Sequence, residues 1–202
     1  MRKLLRVFFY FLYHQFAFAY DLVAAGVSLG HWKNWILEVV PFIEGTRTLE
    51  IGHGPGHLQR FLLSRGLDSV AIDESSSMGR LAQRNTDGAA RLTRGLAQHL
   101  PFADGSFDTV IATFPAEYIT DPLTLSEVRR CLSDGGRFIV LPVAMPKNRF
   151  LSWLFQVTGQ ASSDAKKEVR GKLAEPFIES GFDVDSHVLD LKSGTLIIIV
   201  AK

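Results

Sequence analysis

The chain has 202 residues, 47% of them hydrophobic and 21% charged, values that suit one globular domain with its own core. Lys and Arg total 22 against 21 acids, so no basic excess favours a nucleic-acid substrate. Cys131 is the only cysteine, which excludes an internal disulfide, and the six histidines lack metal-ligand spacing, so no metal is expected.

Residues 2–18 imitate a signal peptide, with Arg2-Lys3, an apolar aromatic run and then Ala17-Phe18-Ala19. On a helical wheel, however, Arg2, Lys3, Arg6, Tyr10, Tyr13 and His14 share one side. Leu4, Leu5, Phe8, Phe11, Leu12 and Phe16 share the other. A signal core is apolar all round, and Arg6 interrupts this one early. The segment is also too short and too polar for a clean membrane span. An amphipathic helix over about 3–18 is therefore expected. It has two open readings, a cap packed over the domain's cleft and an interfacial membrane helix.

A second helix, over about 31–41, carries Trp32, Trp35 and Ile36 and ends near Pro41. Strand one, about 47–51, ends in Glu50-Ile51 and runs into Gly52-His53-Gly54-Pro55-Gly56, a G-x-G-x-G turn. The dinucleotide fingerprint needs its third glycine one residue later. A helix follows from Gly56 to Arg65. Strand two, 68–73, closes on Asp73, about 17 residues past Gly56, near the spacing that puts a carboxylate on a ribose. A helix over about 76–85 begins with Ser75-Ser76-Ser77, so Asp73 also reads as a residue before a helix start.

Strand three is expected over about 89–93 and strand four over 107–113. Asp121-Pro122 pairs a capping residue with proline at the first helical position, and that helix reaches about 132. A glycine pair, Gly135-Gly136, then precedes strand five over about 136–142. Lys147 to Phe155 is a second apolar stretch with basic flanks. A helix over about 164–180 leads to two strands, about 182–190 and 194–201, whose short Lys192-Ser193-Gly194 link implies an antiparallel hairpin.

The run Thr48 to Leu58, an apolar strand with an acid and three alternate glycines, resembles motif I of the class I S-adenosylmethionine (SAM) dependent methyltransferases. Ser69 to Asp73 resembles the next motif. Leu100 to Asp108 and Val128 to Phe138 are similar to landmarks of the ubiquinone/menaquinone-biosynthesis-like branch (methyltransferase type 11). Together the landmarks run from about 46 to 142 in family order.

The resemblance implies an α/β fold, a Rossmann-like three-layer sandwich. Its seven-stranded, mostly parallel sheet has the order 3-2-1-4-5-7-6 and a C-terminal antiparallel hairpin. One domain would span 1–202, with a helical cap over 1–41 and an insertion over 144–163. The cofactor implied is SAM, leaving as S-adenosylhomocysteine. Its expected site comprises Glu50, Gly52, His53, Gly54, Gly56, Asp73, Glu74, Met78, Gly95, Leu96, Ala97, Gln98, Thr113 and Phe114. Glu50 is expected at the methionine amino group, Asp73 at the ribose hydroxyls and Met78 against adenine. Leu96 stands where such proteins often carry an acid for the adenine amino group. Backbone groups of Leu96 and Ala97, with Gln98, are expected to hold adenine instead, and the consequence is either weaker SAM affinity or a cofactor pocket closed by another segment.

The function implied is methyl transfer from SAM to a small-molecule or lipid/quinone-like acceptor. A SAM-binding regulator without turnover is the alternative. A nicotinamide oxidoreductase ranks third, because the glycine spacing is wrong for it. Methyl transfer needs alignment and water exclusion more than an acid–base pair, so no catalytic residue follows from sequence. Glu117 and Tyr118 read equally as acceptor contacts and as loop residues. His53 reads as a base or as packing for the turn. A cytoplasmic location is expected, with residues 2–18 the candidate contact to a membrane surface; oligomeric state is open.

Overall fold

The computed structural model describes residues 30–146 and 163–202. The helix expected over 3–18 and the apolar stretch from Lys147 to Phe155 lie outside the described residues. Among the described residues, no helix is long and apolar enough to cross a membrane.

The described chain opens with α1 (Trp32–Trp35), which tightens into a 3-10 segment over Ile36–Phe42. Pro41 brings no N–H to the helical ladder, and the segment closes one residue later. There follow β1 (Arg47–Ile51), α2 (His57–Ser64), β2 (Asp68–Asp73), α3 (Ser76–Asn85), β3 (Arg91–Arg94) and β4 (Phe107–Thr113). After a 3-10 turn at Glu117–Thr120 come α4 (Pro122–Cys131), β5 (Leu132–Pro146), α5 (Ser163–Glu179), β6 (Val184–Asp190) and β7 (Gly194–Ala201).

The seven strands form one sheet in the order β3-β2-β1-β4-β5-β7-β6. Strands β1 to β5 pair in parallel, and β7 runs antiparallel to β5 and β6. Alternating side chains supply two separate cores, because successive residues of a strand face opposite ways. Val110, Ala112, Phe138, Val140 and Ile199 pack with Leu125 and Val128 of α4 and Phe177 of α5. Ile111, Ile139, Leu141, Ile198 and Val200 pack with Trp32 and Trp35 of α1 and Leu58 and Leu62 of α2. The result is three layers. Every residue of β7 is buried, as a β-branched run covered on both faces requires.

Most expected boundaries agree with the structure to about a residue; both ends of β5 and the starts of β3 and β6 differ, β6 beginning at Val184 and not at 182. The glycine pair at 135–136 does not stop a helix, since α4 ends at Cys131 and Leu132 is already extended. Leu132 pairs with Phe107 and Arg137 with Thr109, so the glycines sit within a shift of register inside β5. At its far end β5 continues to Pro146 because β7 pairs with it through Gly194. Strand β3 starts two residues later than expected, after a turn in which the Ala89 N–H bonds to Thr86 O.

Asp108, at the base of β4, holds the start of β1. Its carboxylate accepts from the Thr46 and Arg47 backbone N–H groups, both at 3.0 Å, and pairs with the Arg47 guanidinium. The Arg47 side chain, followed by these N–H groups, keeps Asp108 well below the usual carboxylate range.

Candidate functional site

The carboxyl ends of β1, β2 and β4, with the chain after β3, enclose a cavity of about 320 Å³. Open α/β sheets place ligands at this end, where the strand order reverses beside β1. Ile51, Gly52 and Gly54 line it after β1, Asp73 and Glu74 after β2, and Gly95 to His99 after β3. Thr113 to Ala116 and Tyr118 line it after β4.

One carboxylate organises the floor. Asp73 Oδ2 accepts from the Gly54 N–H at 3.0 Å, and Oδ1 accepts from the Ser75 N–H at 2.8 Å. The first bond fixes the glycine turn, and the second fixes the start of α3. Ser75 then caps that helix, its Oγ accepting from the Met78 N–H at 3.3 Å.

The turn itself leaves the right-handed backbone region, with φ of +72° at Gly52 and +49° at Gly54. At Gly52 a side chain would strike the Tyr118 hydroxyl, so this ring rests directly on the turn. At Gly54 no heavy atom lies within 4 Å of the place a Cβ would take. That open face and the cavity's size fit a nucleoside carrying an amino-acid arm.

Glu50 does not line the cavity. It is 2% exposed and accepts from Gln59 Nε2 at 2.8 Å, while Gln59 Oε1 accepts from Ser69 Oγ at 3.0 Å. Strand alternation turns this side chain towards α2, behind the glycine turn. Burial pushes its pKa up to about 8, against the opposing hydrogen bond from Gln59 and with the help of the Asp73 charge.

A stability signature follows. The folded chain keeps the Glu50 proton up to about pH 8, whereas the unfolded chain releases it near the ordinary 4.5. Between these values the folded state binds the extra proton, so its stability falls as pH rises, by about 1.4 kcal/mol per pH unit, and is flat above. Glu50→Gln should remove that slope. Urea melts near pH 5.5 and near pH 7.5 are expected to show the wild type losing about 2–3 kcal/mol more than the variant. Parallel losses would show that Glu50 ionises freely.

The remaining expected residues divide. Gly56 lies beneath the turn, where a Cβ would meet Ala82 of α3, and Met78 is buried at 1% exposure without lining the cavity. His53 faces a neighbouring groove, and its Nδ1–H donates to Gly54 O at 2.7 Å. Burial lowers its pKa. Leu96 is 48% exposed at the mouth, and Gln98 Nε2 donates to Asp121 Oδ2 at 3.1 Å. Phe114 lines the wall with a left-handed φ of +48°, its N–H held by Leu141 O at 2.8 Å.

The wall after β3 is braced from behind. Arg130 donates to Leu100 O, Phe102 O, Asp104 and Glu127, at 2.7–3.0 Å. Glu127 in turn accepts from the Leu100 N–H at 2.8 Å, and the Arg130 bond lowers its pKa to about 2.

Sequence reasoning missed Ile51, Ile72, Ser75, His99, Pro115 and Ala116 as lining residues. Ile51 was findable, since it follows Glu50, which turns towards α2, and alternation sends it to the opposite face. The contact between Tyr118 and Gly52 carries no local signal. Among the described residues no group of His, Cys, Asp and Glu is placed to hold a metal.

Residues 49–140 match the methyltransferase domain family. The chain is 34% identical over 153 residues to the ubiquinone/menaquinone biosynthesis C-methyltransferase UbiE of Cellvibrio japonicus, covering 70% of this chain and 61% of that one. It is 32% identical over 174 residues to the protein of the same name from Azotobacter vinelandii, covering 80% and 67%. A demethylmenaquinone methyltransferase from Thermobifida fusca shares 32% over 155 residues, with 70% and 65% covered. The chain thus spans about two thirds or less of the length of these relatives. Among solved structures, a SAM-dependent methyltransferase from Thermotoga maritima superposes with a TM-score of 0.60 at 20% identity, over 92% of this chain and 96% of that one. That likeness concerns the fold.

Proposed function

The chain belongs to the class I SAM-dependent methyltransferases of the ubiquinone/menaquinone-biosynthesis type, and from that premise we propose that it methylates a small, quinone-like acceptor. The observation that carries this reading is the cavity at the strand ends, floored by the Gly52–Gly54 turn and pinned by Asp73. Within it, Asp73 and Glu74 take the sugar, Gly95 to Gln98 take the base, and the glycine turn takes the amino-acid arm. Thr113 and Phe114 wall the reacting end. Glu50, His53, Gly56 and Met78 support these groups from behind.

Bound SAM supplies a methyl group already activated on a sulfonium centre. The chain's own residues then need only align the acceptor and keep water out. Phe114, Pro115 and Tyr118 suit that task because they give the reacting end an apolar, aromatic wall. The relatives named for quinone biosynthesis support an acceptor of that class. Residues 2–18, on this reading, bring the domain to the membrane where such acceptors dissolve.

The test is calorimetry with S-adenosylhomocysteine, followed by transfer of labelled methyl from SAM to a panel of demethylated quinols and phenols. Saturable binding and a labelled quinol are expected. Binding without transfer to any acceptor would replace the reading with a regulatory one, and absence of binding would remove it.

A further inference from the structure

A groove of about 400 Å³ lies beside the cavity and shares only Asp73 and Ser75 with it. One wall is a face of α3. Ser76, Gly79, Arg80, Gln83 and Arg84 recur at the spacing that brings helix residues onto one side. The opposite wall is Leu92, Thr93 and Arg94 of β3, the edge strand of the sheet. At Gly79 no heavy atom lies within 4 Å of a Cβ position, so the groove is open there.

Three arginines, Arg80, Arg84 and Arg94, line this space. The side chains of Arg80 and Arg84 make no hydrogen bond or ion pair with any described residue. Arg94 spends only its Nε, on Glu74 O at 3.0 Å, and keeps its two terminal amino groups. His53 lines the same groove at 4% exposure. Because its Nδ1–H is committed to Gly54 O, Nε2 is the ring atom without a hydrogen-bond partner among the described residues. Asp73 is the single acid in the lining, and both its oxygens already accept backbone N–H groups.

We infer that this groove is a second binding site, which takes a soluble phosphate-bearing small molecule on Arg80, Arg84 and Arg94, with His53 beside it. Arginine suits phosphate because its planar fork offers paired N–H donors to adjacent oxygens. The start of α3 adds partial positive charge at the Ser76 end. The groove's volume suits a small molecule. It lies on the ribose side of the cavity, away from Phe114 and Tyr118, so it is separate from the acceptor's place. The inference stands apart from the methyl-transfer reading and fails or holds without it.

The test titrates inorganic pyrophosphate into the full chain by calorimetry, beside the double variant Arg80→Gln, Arg84→Gln. Both arginines are exposed, and circular dichroism and the thermal midpoint check that the variant folds. Saturable binding is expected for the wild type, weakened about tenfold or more in the double variant. His53→Gln should weaken it less, and raised chloride should weaken the wild type steadily. No saturable heat, or equal binding by the folded double variant, overturns the site. A further arm floats the protein on phosphatidylglycerol vesicles. Arginine-dependent binding to vesicles without binding to pyrophosphate would also overturn the small-molecule site, giving these arginines to a lipid surface.

Discussion

Asp73→Ala should lower the affinity for S-adenosylhomocysteine by about a hundredfold, the largest loss expected from any single cavity residue. Two effects add. On the proposed arrangement the carboxylate receives charge-assisted bonds from the sugar hydroxyls, and losing them costs about 3 kcal/mol. The substitution also frees the Gly54 and Ser75 N–H groups that the carboxylate holds in the structure. Asp73→Asn separates the two, since a neutral amide oxygen keeps one turn in place while removing the charge. It should lie between wild type and alanine. Calorimetry decides the matter, and unchanged affinity in both variants would take the sugar away from Asp73.

The second large effect is structural and reaches the site indirectly. Arg130→Ala should destabilise the fold by about 2–3 kcal/mol, because it strips hydrogen bonds from two backbone carbonyls and two carboxylates at once. Glu127 then loses the partner that holds its pKa down, while still tied to the Leu100 N–H. The segment after β3 should loosen, so binding of S-adenosylhomocysteine falls together with the urea midpoint. Arg130→Lys keeps a charge without the fork and should recover part of the stability. If alanine leaves the midpoint where it was, the brace is ornamental.

These expectations could be drawn only in part from sequence. The G-x-G-x-G turn, the acid closing β2 and the β-branched run of β7 were legible because each depends on its own neighbours. The order of the strands came from family resemblance, since local spacing does not record pairing. The end of α4 near 132 was legible, but Gly135 and Gly136 stand inside β5 and not ahead of it. What decides this is the pairing of Leu132 with Phe107, a long-range contact. Glu50 stands beside the turn in sequence, yet alternation along β1 sends it to Gln59 and away from the cavity. Asp73 lines the cavity from the end of β2, a position that the acid closing the strand made legible. Tyr118 was ambiguous, as its position depends on how the chain leaves β4.

Phe114 sits at that exit with its backbone in a conformation that costs an ordinary residue about 1–2 kcal/mol. Glycine there would relieve the main chain and also delete an aromatic face from the wall. Relief of the main chain and the shape of the cavity wall are thus opposed at one codon, and because Phe114 also packs against the core beside α1 and α2, screens that select for heat resistance alone should keep the ring and its strain together.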